Sequence, residues 1–427
     1  MKKLNKLIEK NIEKIVLIFI YIQPILDLIA GITQNILKIN LTLSSIIRLI
    51  FLFFCIYYMI ILDKTKEKKK NITYTALIII YTIIFSLTTM IYKDINALSY
   101  ELKNTINTFY LPIIILALIN MFKQYNIKIK LKNIIYIYMT YIILILIPNL
   151  THTGFQSYAI SKEGSSGWFT SANGVGNILS ILLPFIILFI IKNKKAIFLL
   201  LPTLYVFVSM GTKVPILSLT LCMITTLLFY IIKWIKEKQY KKILTTTILT
   251  IITIIIAIIL IPKTTFYKNI QIHKEYLGIN KYTEILTNYK LLDHFVFSQR
   301  LTFLKNTHEN YKNSNIIQKT FGIGYIENYG TEEISTKTIE IDYFEILYRN
   351  GIIGFIIYFS ILIPIIKNKI KQLKDKTIQN VEIKTSILLI LLLALFSGHI
   401  LVTPSVSIFV VLILSNSLKG GLNEKIN

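Results

Sequence analysis

Long apolar blocks alternate with short polar connections along the chain as far as Lys263, where one polar interval runs to Gly351 before the apolar blocks resume. About twenty predominantly apolar residues are enough for a helix to cross ~30 Å of hydrocarbon at ~1.5 Å per residue. On that criterion twelve spans are predicted, at 14–33, 43–62, 72–92, 104–122, 132–150, 173–191, 196–212, 214–233, 243–262, 350–366, 384–400 and 402–418. The expected fold is an all-α polytopic membrane protein. Nine spans fall within residues 1–262, a large and partly helical loop occupies 263–349, and three spans fall within 350–427.

The polar interval has its own pattern. Phe297, Leu301, Leu304, His308 and Tyr311 recur at four- and three-residue steps, which predicts an amphipathic helix over Asp293 to Tyr311 with Arg300 beside its apolar stripe. Loops this long are usually functional or disordered, and the periodicity and aromatic content argue for the former. FGIGYIENYG follows with the glycine density of a backbone bend but not the spacing of a dinucleotide or phosphate-loop motif. TIEIDYFEILYRNGIIG then enters the tenth span. Glu340 and Asp342 are two apart, so an extended entry puts both on one face. Either carboxylate suits a general base toward a sugar hydroxyl, and either equally suits acidic residues that complement a helix dipole.

Composition agrees with the pattern: 54% hydrophobic residues, 16% charged residues and a mean hydropathy of +0.62 leave too little polar surface to cover a soluble globule. The net charge of +25 raises nucleic acid as a partner until its distribution is read. Lysines crowd the N-terminus, alternate connections (64–70, 123–132, 192–195, 233–242, 367–384) and the C-terminus, whereas the intervening short connections hold Lys38, Lys93, Lys103, Lys162 and Lys213. That alternation is the positive-inside rule. It places both termini in the cytoplasm and the large loop outside, away from cytoplasmic ATP and nucleotide sugars, and leaves no case for nucleic acid. The basic N-terminus resembles a signal peptide, but Gln23, Pro24 and Asp27 interrupt its apolar run, so a retained first span is expected. Cys55 and Cys222 both lie in spans, as small apolar residues. His152, His273, His294, His308 and His399 all fall on the exterior half without metal-ligand spacing, so no metal is assigned.

Several polar residues near the outer surface are candidates for chemistry. Asp27 and Arg48 are costly in lipid and are expected to face the bundle interior, either as an ion pair between neighbouring helices or with Arg48 lining an anionic site. Asn173 and Asn177, one turn apart in WFTSANGVGN, fit helix packing or hydrogen bonds to a sugar. Lys213 sits at the helix-to-helix turn of VSMGTKVPILSL, where Gly211 and Pro215 supply the turn chemistry. It is a snorkelling lysine or, with Arg48 and Arg300 on the same side, part of a site for a lipid-linked phosphate or diphosphate.

WFTSANGVGN, VSMGTKVPILSL, the large loop with SQRLTF and FGIGY, and EIDYFEILYRNGIIG form an ordered set over residues 168–360. That set resembles the O-antigen ligase and polymerase family, most closely its capsular and exopolysaccharide branch. The resemblance implies an architecture like the GT-C membrane glycosyltransferases. It also implies polymerisation of undecaprenyl-diphosphate-linked oligosaccharide repeat units on the outer face of the bacterial cytoplasmic membrane, with no cofactor and no metal. Lys213 and Arg300 would hold the diphosphate, with lysine standing where an arginine is common. Glu340 stands eleven residues ahead of Gly351, where the family often has a histidine, so the base is Glu340 or Asp342, with His308 as a further candidate beside its reading as an acceptor contact. Membrane lipid, a flippase and a chain-length regulator are the implied partners. Transfer to a lipid or wall acceptor by a ligase is one alternative. A lipid-linked oligosaccharide flippase is the other, and it has less use for so large an exterior loop.

Overall fold

The computed structural model describes residues 2–39, 42–93, 95–158, 162–326 and 339–418. The last four residues of FGIGYIENYG and the first residue of TIEIDYF lie outside them. Among the described residues, nine helices are long and apolar enough to cross a membrane, ten if the pair Asn5–Tyr21 and Gln23–Asn35 is one bent span. Three of the twelve expected spans are bent or shorter than that length, each with a local cause. Pro24 lacks an N–H and crowds the preceding turn, so the first span bends by 47°. Pro202 opens a helix of only ten residues, Leu200–Ser209, after a 3₁₀ segment at Lys194–Leu199. Pro404 likewise starts the short helix Pro404–Leu414, which ends where Ser415 turns extended.

Two helices form the centre of the bundle. Leu98–Gln124 and Ala172–Lys192 are buried along most of their length, whereas Tyr240–Leu260 has no buried residue. The exposed helix is at least as apolar as the two buried ones, so hydropathy does not rank them by burial. Small residues do, because close approach of backbones drives helix association where lipid is as apolar as leucine. Gly176 lies against Met210 and Pro215, and Ser180 and Ser218 are fully buried. The Tyr240–Leu260 helix is mostly isoleucine and threonine, which leaves it on the lipid-facing periphery.

The polar interval folds into short helices at Thr265–Tyr276, Thr283–Thr287, Arg300–Asn313 and Ile316–Phe321. The amphipathic helix expected from Asp293 begins instead at Arg300. Asp293–Phe297 forms a π-turn, Ser298 and Gln299 take left-handed backbone, and the buried Asp293 carboxylate turns back to accept from the N–H groups of Leu301 and Thr302. Arg300 thereby becomes the first residue of its helix. On the other side Leu304 and Tyr311 pack against Ile339, Ile341 and Tyr348.

The helix Asp342–Gln372 runs through the predicted entry and span without a break in sequence but kinks at Gly351, whose φ is +65°. A β-carbon there would lie 2.4 Å from the Gly322 nitrogen, and one on Gly322 would lie 2.1 Å from the Arg349 carbonyl oxygen. The two glycines lock the FGIGY bend into the kink, and Ile323 and Gly324 donate to the carbonyls of Tyr348 and Arg349. Gly351→Ala combines a backbone clash with the ~1–3 kcal/mol cost of a positive-φ, extended-ψ conformation that is essentially confined to glycine. A clear drop in melting temperature of the detergent-solubilised protein is expected, with an unchanged melting curve as the contrary result.

Candidate active site

Three helices turn their first residues toward one cavity of about 540 Å³: Asn173 from Ala172–Lys192, Lys213 from Lys213–Lys236 and Arg300 from Arg300–Asn313. Helix N-termini leave backbone N–H groups unpaired and carry the positive end of the dipole, so they favour anions. At Arg300 the first amides are already taken by Asp293, and the guanidinium itself supplies the donors. Lys162, carried on the short hairpin formed by Phe155–Gln156 and Ser165–Gly167, completes a trio of cations. Leu217, Phe297, Phe303, Leu393 and Phe396 make the remaining wall apolar.

The positive charge is concentrated. Burial lowers the pKa of Lys162. His273, behind the cavity, is pushed down to about 4 by burial and by the charges of Lys162 and Lys213. Lys213 donates to the Phe295 carbonyl and lies 5.1 Å from the centre of the Phe295 ring. Asn269 fixes the turn before it, donating to the carbonyls of Glu163 and Gly211. The loop helix Thr265–Tyr276 is thus tied to the turn that presents Lys213.

Among the described residues Glu340 is the one carboxylate lining this cavity, and it is held there by unusual backbone. Its φ is +57°, and its main chain lies so close to Gly398 that a β-carbon on that glycine would sit 2.6 Å from the Glu340 carbonyl. Arg300 donates to Glu340 Oε2 from Nη2 at 2.6 Å and from Nε at 3.1 Å, while His399 Nε2 lies 3.8 Å from Oε1. Burial opposes ionisation of Glu340, but His399 and Arg300 outweigh it and hold the carboxyl down to about 2. His399 responds in the opposite sense: burial disfavours its charge, yet Glu340, with Asp342 and Glu345 behind it, raises its pKa above the ordinary 6.5.

A cationic, part-apolar cavity with a carboxylate at its edge stands at one end of a helical bundle, and the family model for O-antigen ligase like membrane proteins matches residues 9–285 and 280–419. The chain belongs to that family. No curated protein and no solved structure matches it. The O-antigen ligase-like family is one of glycan-transfer membrane enzymes, and this member is a multi-pass membrane protein.

Within this family member the structure separates the candidates read from the sequence. Lys213, Arg300, Glu340 and Asn173 come together at the cavity. Glu340 and Asp342 both line a smaller cavity beside this one, but of the two only Glu340 also reaches the cationic cavity. Asp342 is buried and accepts from the N–H groups of His399, Ile400 and Leu401 at 2.8 to 2.9 Å, so both its oxygens are committed to holding the 397–403 connection. Asn177 is fully buried and donates to the Gly398 carbonyl, a packing role in the same connection. Arg48 lies apart from the cations of the cavity in an ion pair with Asp27 at 2.5 Å, which also accepts from Tyr141. His308 is exposed, pairs with the Tyr348 hydroxyl and does not reach the cavity.

Sequence reasoning missed Lys162, Asn269 and the part played by His399. The available signal for His399 was the SGHILVTP break inside the last apolar stretch.

Asp342→Asn separates anchoring from catalysis. The amide places a donor against backbone donors, so the variant is expected to melt at a lower temperature than wild type and to lose activity in proportion to folded protein. Unchanged melting with loss of turnover alone would return Asp342 to the role of base.

Proposed function

We propose that this protein polymerises polyprenyl-diphosphate-linked oligosaccharide repeat units into a surface polysaccharide, as an all-helical membrane glycosyltransferase of the GT-C kind. The observation that carries the reading is the position of Glu340, which lines the cationic cavity on one side and a smaller polar cavity on the other. A donor diphosphate fits the first, where Lys162, Lys213 and Arg300 match its charge and the apolar wall matches the start of its lipid chain. Arg300 offers the bidentate fork and the lysines offer point charges.

The chemistry follows from the ion pair. In the resting site Arg300 holds the Glu340 carboxylate and keeps it a weak base. A bound diphosphate competes for the same guanidinium, and Glu340, released from its cation, becomes more basic. Its carboxylate then takes the proton of an acceptor hydroxyl as that oxygen attacks the anomeric carbon. The bond from that carbon to the diphosphate oxygen breaks, its electron pair leaving with the phosphate. The charge that develops there is met by the three cations, and losing one such preorganised donor typically costs about 10²–10³ in rate.

The distribution of lysines supports a site on the outer face of the cytoplasmic membrane, with a flippase supplying the donor and a chain-length regulator as a further partner. In a variant lacking the buried Cys55 and Cys222, a cysteine replacing the exposed Lys312 is expected to react with a membrane-impermeant thiol reagent in intact cells, and one replacing the exposed Lys69 is not. The reverse labelling pattern sinks the orientation. The reaction itself is tested with purified protein and the lipid-linked repeat unit: a ladder of longer glycans supports polymerisation. A single transfer to an added lipid or wall acceptor supports the ligase instead, and movement of the lipid across vesicles without new product overturns the enzyme reading.

A further inference from the structure

We propose that the cavity of about 210 Å³ on the far side of Glu340 is a subsite for one neutral sugar ring of the acceptor, and that Asn107 is a residue that selects it. This rests on the donor reading of the cationic cavity. Asn104, Asn107 and Thr108 are spaced so that one face of the Leu98–Gln124 helix presents all three. Thr108 Oγ1 lies 2.7 Å from the Tyr325 hydroxyl, to which the Asn350 amide also donates, so a fixed polar array lines that wall. Asn104 uses its amide on the Tyr100 carbonyl, whereas the half-buried Asn107 amide has no hydrogen-bond partner among the described residues.

Charge decides what the cavity takes. Among the described residues its lining carries Glu340, Asp342, Glu345 and His399 and no lysine or arginine. A diphosphate would be repelled there, while a polyol offers hydroxyl donors to carboxylates and paired hydroxyls to an asparagine amide. Asp342 is saturated by backbone amides, but the buried Glu345 is not: Oε2 accepts from the Ile339 N–H, Oε1 has no hydrogen bond and the Arg349 guanidinium is 3.7 Å away. The volume is below the ~300–1,000 Å³ of sites for drug-sized ligands and holds about one pyranose ring. Such a ring, with one hydroxyl at Glu340, places its nucleophilic oxygen beside the donor cavity.

The test uses full-length protein in lipid nanodiscs, a polyprenyl-diphosphate oligosaccharide as donor and a soluble oligosaccharide of the repeat as acceptor. Asn107→Ala is expected to raise the acceptor KM about ten-fold, the effect of one lost hydrogen bond, and to leave equilibrium binding of labelled donor within about two-fold. Asn107→Gln is expected to recover part of the loss. Independently of turnover, a cysteine replacing Asn107 in protein lacking Cys55 and Cys222 should be protected from a small thiol reagent by the acceptor oligosaccharide alone. An unchanged acceptor KM in Asn107→Ala, or protection by donor and not by acceptor, overturns the subsite. Wild-type protein that fails to bind donor while the acceptor still protects the cysteine strikes the donor reading and leaves the acceptor cavity standing.

Discussion

Arg300→Ala is expected to reduce glycan transfer by at least two to three orders of magnitude at normal protein level. Two losses coincide. The departing diphosphate loses its bidentate donor, for which ~10²–10³ in rate is typical, and the resting site loses the contacts at 2.6 and 3.1 Å that hold Glu340 at the cavity edge until donor binds. Arg300→Lys is expected to recover little, because an ammonium cannot keep both contacts. The measurement is initial rate of purified protein on lipid-linked repeats, with labelled-donor binding alongside. Binding should weaken in Arg300→Ala more than in Arg300→Lys. Full polymer from Arg300→Ala would remove the guanidinium from the donor site.

Glu340→Gln is expected to lower kcat by about 10²–10⁴, the usual contribution of a general base, while the apparent donor affinity stays level or improves because Arg300 no longer has a competing carboxylate. That opposite movement of turnover and binding distinguishes a base from a binding group. Cells carrying the variant should accumulate single lipid-linked repeats.

The same pair sets a pH window. Glu340 is depressed from 4.5 to about 2, so its ionic contribution to stability is whole above 4.5 and is lost as pH falls through about 2. His399 is raised above 6.5, so its contribution is whole below 6.5 and is lost as pH rises through the folded value. The melting-temperature difference between wild type and Glu340→Gln should therefore be greatest between about pH 4.5 and 6.5. A difference independent of pH means that the Glu340–His399 contact contributes nothing.

What the amino-acid sequence determined by itself is the class of the protein and part of the lining of its cationic cavity. Apolar blocks of about twenty residues define helices whatever their neighbours, since in hydrocarbon every backbone N–H and C=O has to be paired within its own segment. The unmatched polar interval, Lys213 at a tight turn and Glu340 ahead of the helix entry were likewise local features that picked out three residues of the cavity, while the ordered motifs over 168–360 carried the resemblance to the family.

Tertiary structure decided the division of labour among polar residues that look alike in sequence. Glu340 and Asp342 are neighbours in one motif, but Gly398 packs against the backbone of the first while the amides of residues 399–401 take both oxygens of the second. Arg48 and Arg300 are both cations beside apolar runs. Asp27 claims one, and the Asp293 turn places the other at a helix start facing Glu340. Lys162 and His399 joined the site from segments far apart in the chain, and no local pattern reports a contact made across that distance. The physical reason is the same in each case: a charged side chain takes its role from the partner that reaches it, and partners in a helical bundle are set by which backbones can approach closely enough to pack.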